Sequence, residues 1–322
     1  MSIEIIGYGL AQAEKCVTNH DLAKTVDTND AWIQERTGIQ QRYFSITKNT
    51  SDLASEAAMM AIQDAKIDPK TIDLILVATI TPDGMMPSTA SLVQAKCGLN
   101  GQNCLSYDIN AACTGFVVAM QNAQAMLEAG FVSNALVIGA ETLSKILDFN
   151  DRTTSVLFGD GAGAIILRKS TSKQMLHYTR SEGDVNGVLT SDGLALNPEM
   201  KFNHLSSHYL RMQGQAVFRF AVKAIEDVII NLLMQTKLEM DQIDWIVPHQ
   251  ANRRIIEYVA NKMNIDLLKF YLNLDQYGNT SSASIPIALS EMKTKGVLKE
   301  GMRVICVGFG AGLTWGGSYF ES

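Results

Sequence analysis

The chain has 322 residues, of which 47% are hydrophobic and 19% charged. That excludes a disordered or fibrous chain and predicts one large or two intimately joined domains. Its 27 basic and 33 acidic residues leave a net charge of −6, which argues against a general nucleic-acid binder.

The opening Met-Ser-Ile-Glu-Ile-Ile-Gly has no basic segment ahead of an apolar one, and the uncharged run Ile109 to Leu127 carries four amide side chains. The expectation is a cytoplasmic protein without a membrane span. Thr50-Ser51-Asp52 can cap a helix running to about Lys66, with Leu53, Ala57, Ala61 and Ala65 on one face. Ile72 to Thr79 reads as a strand covered on both sides. Leu105 to Ile109 reads as another strand, followed directly by a helix over Ala112 to Ala129. Ala135 to Ile138 and Ala162 to Leu167 complete a strand-rich first half, and the alternation predicts an α/β protein.

The second half repeats the first. Ile72-Asp73-Leu74-Ile75 resembles Ile243-Asp244-Trp245-Ile246 at an offset of 243 − 72 = 171. Gly130 and Gly301 share that offset, whereas Val137-Ile138-Gly139 matches Cys306-Val307-Gly308 at 308 − 139 = 169. One small deletion accounts for the drift. The pattern predicts a duplicated α/β unit, residues 1–170 and 171–322, with related loops meeting at one site.

Five cysteines (16, 97, 104, 113 and 306) form no CxxC pair and have no histidine at ligand spacing, so neither a disulfide framework nor a metal site is expected. Cys113 stands apart. It follows a strand and opens a helix of small residues, where the positive end of the helix dipole favours a thiolate; the alternative is a small cysteine filling a helix–sheet contact. Cys16, Cys97 and Cys104 read as packing residues. His249 lies just past the strand-like Ile243 to Pro248, at a sheet end where ligands bind in α/β proteins. The other histidines (20, 177, 204 and 208) read as lying in polar or loop-like surroundings. Asn279, in Gly278-Asn279-Thr280-Ser281, is either a site residue or part of an ordinary turn capping a helix around Ile287 to Met292. Gly308-Phe309-Gly310-Ala311-Gly312 is either a backbone oxyanion site or a tight glycine turn.

Taken together, Ala111-Ala112-Cys113-Thr114-Gly115-Phe116, His249-Gln250-Ala251-Asn252 and Gly278-Asn279-Thr280-Ser281 resemble the 3-oxoacyl-[acyl-carrier-protein] synthase III family. Phe158 to Ala164 and Trp32 to Ile39 match it too, and the resemblance spans essentially the whole chain. It implies a thiolase-like duplicated fold of five αβαβα layers, a homodimer, and initiation of type II fatty acid biosynthesis without a cofactor. In that reaction an acyl group passes from acetyl-CoA to a cysteine and condenses with malonyl-ACP. By resemblance the catalytic residues are Cys113, His249 and Asn279. The backbone N–H groups of Cys113 and Ala311 form an oxyanion hole, although many relatives carry Gly at the latter position. Coenzyme A falls to Thr28, Trp32, Arg36, Arg152 and Asn252. The acyl carrier protein falls to Gln250, Ala251, Asn252, Arg253 and Arg254, and Met86 reaches the partner subunit's acyl pocket. Three alternatives share the fold: a thiolase using Cys306 as a second base, a polyketide-type synthase, and a non-catalytic acyl- or CoA-binding protein.

Overall fold

The structure, a computed structural model, describes residues 2–193 and 209–322; His204 and His208 lie outside the described residues. In chain order the first half gives β1 (Ser2–Gln12), β2 (Lys15–Thr18), α1 (Asn19–Leu22), α2 (Asp30–Thr37), β3 (Gln41–Phe44), α3 (Thr50–Ala65), β4 (Leu74–Ala78), α4 (Thr89–Lys96), β5 (Leu105–Ile109), α5 (Gly115–Ala129), β6 (Asn134–Glu141) and β7 (Gly161–Ser170). The second gives β8 (Met175–Ser181), β9 (Leu189–Ser191), β10 (Leu210–Met212), α6 (Gly214–Thr236), β11 (Trp245–Pro248), α7 (Arg253–Met263), α8 (Leu274–Tyr277), α9 (Ser284–Thr294), β12 (Arg303–Gly310) and β13 (Thr314–Glu321).

Two mixed sheets form the frame, ordered β1-β7-β6-β4-β5 and β8-β13-β12-β11. Strand β4 shows why they are sandwiched. Its side chains alternate, so Leu74, Leu76 and Ala78 join the core around α5 and α9, while Ile75 and Val77 join the core under α3 and α4. The core around α5 and α9 also takes in Val247, Val304, Cys306 and Phe320 of the second sheet. On that sheet's far face Ile246, Ile305 and Val307 pack with α6 and α7. The layers are therefore helix, sheet, helix, sheet, helix, the five-layer α/β architecture expected. Among the described residues, no helix is long and apolar enough to cross a membrane.

Duplication is visible in the backbone. Strands β6 and β12 correspond at 303 − 134 = 169, and each pairs in parallel with its half's first central strand, β4 or β11. Lys66 and Lys237, 171 apart, both end a helix in the left-handed conformation. Ala112 and Ser281, 169 apart, both carry positive φ, 45° and 49°. Gly130 and Gly301 share a left-handed backbone, φ 78° and 79°, but not a place: Gly130 caps α5 directly, whereas α9 ends at Thr294 and Gly296, φ 65°, is the first left-handed glycine after it. Among the described residues the second sheet also lacks a full counterpart of β5, whose place is taken by a single parallel bridge from Phe270 to Ile246.

Local details differ from the expectations. The cap of α3 is Asn49, not the Thr50 run, because Asn49 and Asp52 exchange hydrogen bonds and leave Thr50 buried inside the helix. His177 has polar partners but does not lie in a loop. It is sequestered on β8, its Nδ1 2.8 Å from Ser318 Oγ and its Nε2 2.9 Å from Gln124 Oε1. Cys16 is exposed rather than packed.

Candidate active site

Strand β5 delivers the chain to Cys113 through a strained turn. Ala112 takes its positive φ, residues Ala112–Thr114 form one turn of 3-10 helix, and α5 begins only at Gly115. The thiol therefore precedes the helix proper. Strand β12 lies flat against this turn: a Cβ on Gly310 would sit 2.9 Å from both Cβ and N of Cys113, and one on Gly308 would sit 3.1 Å from Cα of Thr114. The GFGAG run is thus a steric requirement of the site. A clasp of threonines fixes the turn beyond it, with Thr314 Oγ1 donating to the carbonyls of Ala311 at 2.9 Å and Ala111 at 3.1 Å.

His249 follows β11 and is anchored by its backbone N–H, which donates to Val307 O at 2.7 Å. Its Nδ1 lies 2.7 Å from Ser284 Oγ, and its ring stands edge-on to Phe309 at 5.2 Å. Asn279 accepts the Ser281 N–H on its Oδ1 at 2.8 Å, which keeps Nδ2 as its donor. Cys113, His249 and Asn279 line one cavity of about 140 Å³, together with Phe309, Leu313 and Phe218. Cys113 also lines a second, wider cavity of about 990 Å³, with Ile80, Met85, Leu143, Ser281 and Ala311. Phe158 and Leu189 border both.

Burial holds the imidazole of His249 down to about 3, so it is neutral. Cys113 departs from expectation. Burial pushes its thiol up to about 12, against a contribution from the Ser281 hydroxyl that favours the thiolate. Position at a helix start does not outweigh removal from water, which favours the protonated thiol. Cys306 is fully buried in the inter-sheet core, burial raises its thiol further, and it lines neither cavity. It is no second base.

The outer residues fall in two groups. Trp32 and Arg152 come together, with the guanidinium carbon 5.5 Å from the ring centroid. Thr28 Oγ1 beside them in sequence is buried without a partner, and Arg36 is exposed on α2. Asn252 caps α7, its Oδ1 accepting from Arg254 N at 2.9 Å and its Nδ2 donating to Arg36 O at 3.1 Å. Ala251 and Asn252 line the smaller cavity. Arg253 and Arg254 are exposed at the start of α7, and Gly38, with φ 82°, lets that helix approach: a Cβ there would meet Arg253 Cβ at 2.7 Å. Gln250 does not belong to a protein-docking surface. It is buried, its Nε2 donates to Pro248 O and Tyr271 O, and its Oε1 accepts from Asn273 N. Met86 is almost fully exposed. Sequence reasoning missed Glu141, Ser281, Ser282, Ser284 and Thr314, whose residue types carry no signal outside the folded site.

A buried Cys–His–Asn set between two sheets of a duplicated α/β frame defines a condensing acyltransferase of the thiolase type. Residues 107–183 match the model of 3-oxoacyl-[acyl-carrier-protein (ACP)] synthase III, and residues 233–322 match its C-terminal model. Beta-ketoacyl-[acyl-carrier-protein] synthase III of Clostridium acetobutylicum is 47% identical over 98% of this chain and 97% of its own. The corresponding protein of Clostridium perfringens is 46% identical over 99% and 98%. The crystal structure of 3-oxoacyl-[acyl-carrier-protein] synthase III from Aquifex aeolicus superposes with a TM-score of 0.92 at 39% identity, covering 100% of both chains. The chain belongs to the 3-oxoacyl-[acyl-carrier-protein] synthase III family and is an initiating condensing enzyme of fatty acid biosynthesis.

Proposed function

We propose that the chain condenses acetyl-CoA with malonyl-ACP to acetoacetyl-ACP, CO₂ and CoA through an acyl-Cys113 intermediate. The observation that carries this reading is the convergence of Cys113, His249 and Asn279 on one cavity, lined also by Phe158, Phe218, Phe309 and Leu313. Cys113 attacks the thioester, and the covalent intermediate lets CoA leave before the second substrate arrives. The backbone N–H groups of Cys113 and Ala311 receive the oxyanion of that step. Decarboxylation of the malonyl group then supplies the carbon nucleophile, so no strong base is required. His249 and Asn279 stabilise the enolate oxygen, each donor contributing about 3 kcal/mol in a dry site. Acyl-CoA and malonyl-ACP are substrates, and the chemistry needs no cofactor.

In this reading the adenine of CoA stacks on the Trp32–Arg152 pair, with Thr28 and Arg36 towards the phosphates and Asn252 at the pantetheine arm. The carrier protein docks on Arg253 and Arg254, beside Ala251 and Asn252. The wider cavity takes the acyl group, and Met86 closes it from the partner of a cytoplasmic homodimer whose halves, 1–170 and 171–322, share the site. Strand β5, at the edge of the first sheet with Leu105 exposed, supports a partner on that side.

The test is CO₂ release from malonyl-ACP with acetyl-CoA, comparing wild type with Cys113→Ala. Acetyl-CoA-dependent 3-oxoacyl product from wild type alone is expected; condensation of two acetyl-CoA molecules without CO₂ would replace the reading with a thiolase. Primer choice is tested by kcat/KM for acetyl-CoA against isobutyryl-CoA, and a preference for isobutyryl-CoA would refute acetyl as the main primer.

A further inference from the structure

Behind the nucleophile lies a carboxyl group that the chemistry above does not use. Glu141, the last residue of β6, is wholly buried. Its Oε2 accepts from Thr81 Oγ1 at 2.6 Å, Thr79 Oγ1 at 3.1 Å and Ile80 N at 3.1 Å. Both threonine oxygens also accept a backbone N–H, Thr79 from Thr81 N and Thr81 from Thr142 N, so their own hydrogens are directed at Glu141. The other carboxyl oxygen, Oε1, lies 2.9 Å from Ser282 Oγ, which in turn lies 2.7 Å from the carbonyl oxygen of Ala78. Ser282 has one hydroxyl hydrogen, and Ala78 O has none to give. With an ionised Glu141, one of these two short contacts would press oxygen lone pairs together between buried groups, an arrangement buried polar groups avoid. One added hydrogen completes the set: Glu141 Oε1–H donates to Ser282 Oγ, and Ser282 Oγ–H donates to Ala78 O.

We propose that Glu141 works as a neutral carboxylic acid, a positioning residue whose proton ties β4, β6 and the 281–283 turn together behind Cys113 and keeps negative charge away from the thiol. Burial acts in the same sense, raising Glu141 above the ordinary carboxylate range. The titratable groups that face it are the Cys113 thiol, across the Ser281 hydroxyl, and Lys145, which Asp83, Asp160 and Asp52 also draw on. A carboxylate here would hold the thiol further up, so the nucleophile is usable only while Glu141 keeps its proton. The fold also explains the placement: Ser282 occupies, 282 − 113 = 169 residues on, the position of Cys113 in the second half. One turn of the duplicated pair carries the nucleophile and the other carries its brace.

Glu141→Gln reproduces the neutral pattern, an oxygen for Thr79, Thr81 and Ile80 N and an N–H for Ser282, whereas Glu141→Ala removes it. Loading of Cys113 from acetyl-CoA is followed by intact mass, with Tm measured alongside. Glu141→Gln is expected to keep Tm and load within about threefold of wild type, and Glu141→Ala to load at least about tenfold more slowly. As pH rises, wild-type loading should fall relative to Glu141→Gln, since only wild type can ionise. A folded Glu141→Gln as slow as Glu141→Ala would overturn the proposal, as would a wild-type to Glu141→Gln ratio that stays flat with pH. Independently, ¹³C NMR of glutamate-labelled wild type should show one side-chain carboxyl with the shift of a protonated acid at neutral pH; finding every carboxyl ionised would overturn it without any variant. The loading assay rests on Cys113 being the nucleophile, but the NMR does not, so failure of wild type to load would count against that reading alone.

Discussion

Burial holds His249 down to about 3 and His177 down to about 4, against an ordinary 6.5. The unfolded chain therefore takes up both protons near pH 6.5, while the folded chain resists them until far lower. Stability that is complete above pH 6.5 is lost as pH falls from there towards 4 and 3, by up to about 1.4 kcal/mol per pH unit for each histidine. Urea midpoints across that range should decline, and His177→Gln, which can keep partners in Ser318 and Gln124, should reduce the slope. A slope unchanged by His177→Gln would refute its share. Individual residues also mark the boundary of what the sequence discloses. Cys113 was legible because its setting, after a strand and before a run of small residues, is local. Its charge state was not, because that is set first by burial in the folded interior and then by Ser281 of the second half. Glu141 and Ser282 acquire meaning only when the fold brings two residues 141 positions apart within a hydrogen bond.

Strands and helices were read where one period dominates. The short, mostly apolar run of β4 gave a strand covered on both faces, and the small-residue run after β5 gave a helix. The strained turn at Ala112 was hidden because alanine gives no sign of a positive φ, and the missing fifth strand of the second sheet was hidden because one bridge leaves no periodicity. The glycine-rich β12 was read only as two open possibilities. Packing adds a separate reason for the glycines, since the backbone of Cys113 leaves no room for a side chain at 310. Gly310→Ala should cost about 1–3 kcal/mol by overpacking and abolish acyl loading, whereas Gly183→Ala, with nothing within 4 Å of its Cβ, should do neither. Chemical denaturation and intact mass after exposure to acetyl-CoA separate the two; a Gly310→Ala protein that loads normally would show the contact to be yielding.

At the scale of the molecule, a net charge of −6 faces an acidic carrier protein, so local charge must govern docking, because screening confines each field to about 8–10 Å. Arg253 is already engaged with Glu257 at 2.7 Å, and Lys262 with Glu226 at 2.8 Å. Arg254 is the better candidate for the carrier. Arg254→Glu should raise KM for malonyl-ACP about tenfold, roughly the loss of one charge-assisted contact, with acetyl-CoA loading intact; equal loss in both would sink the assignment. Sedimentation should show a dimer that Leu105→Lys dissociates, and a wild-type monomer would remove Met86 from any role in a neighbour's site.

The two cavities at Cys113 have a further consequence. The sulfur stands in a doorway rather than at the bottom of a well, with one room on the His249 side and a larger one beyond Ala112. A chain handed to the sulfur can be parked in the far room while the next visitor enters the near one, so neither has to back out past the other. The lintel that both rooms share is made of Phe158 and Leu189. A molecule furnished in both rooms would be bolted through the wall, and its exit would wait on those two side chains giving way.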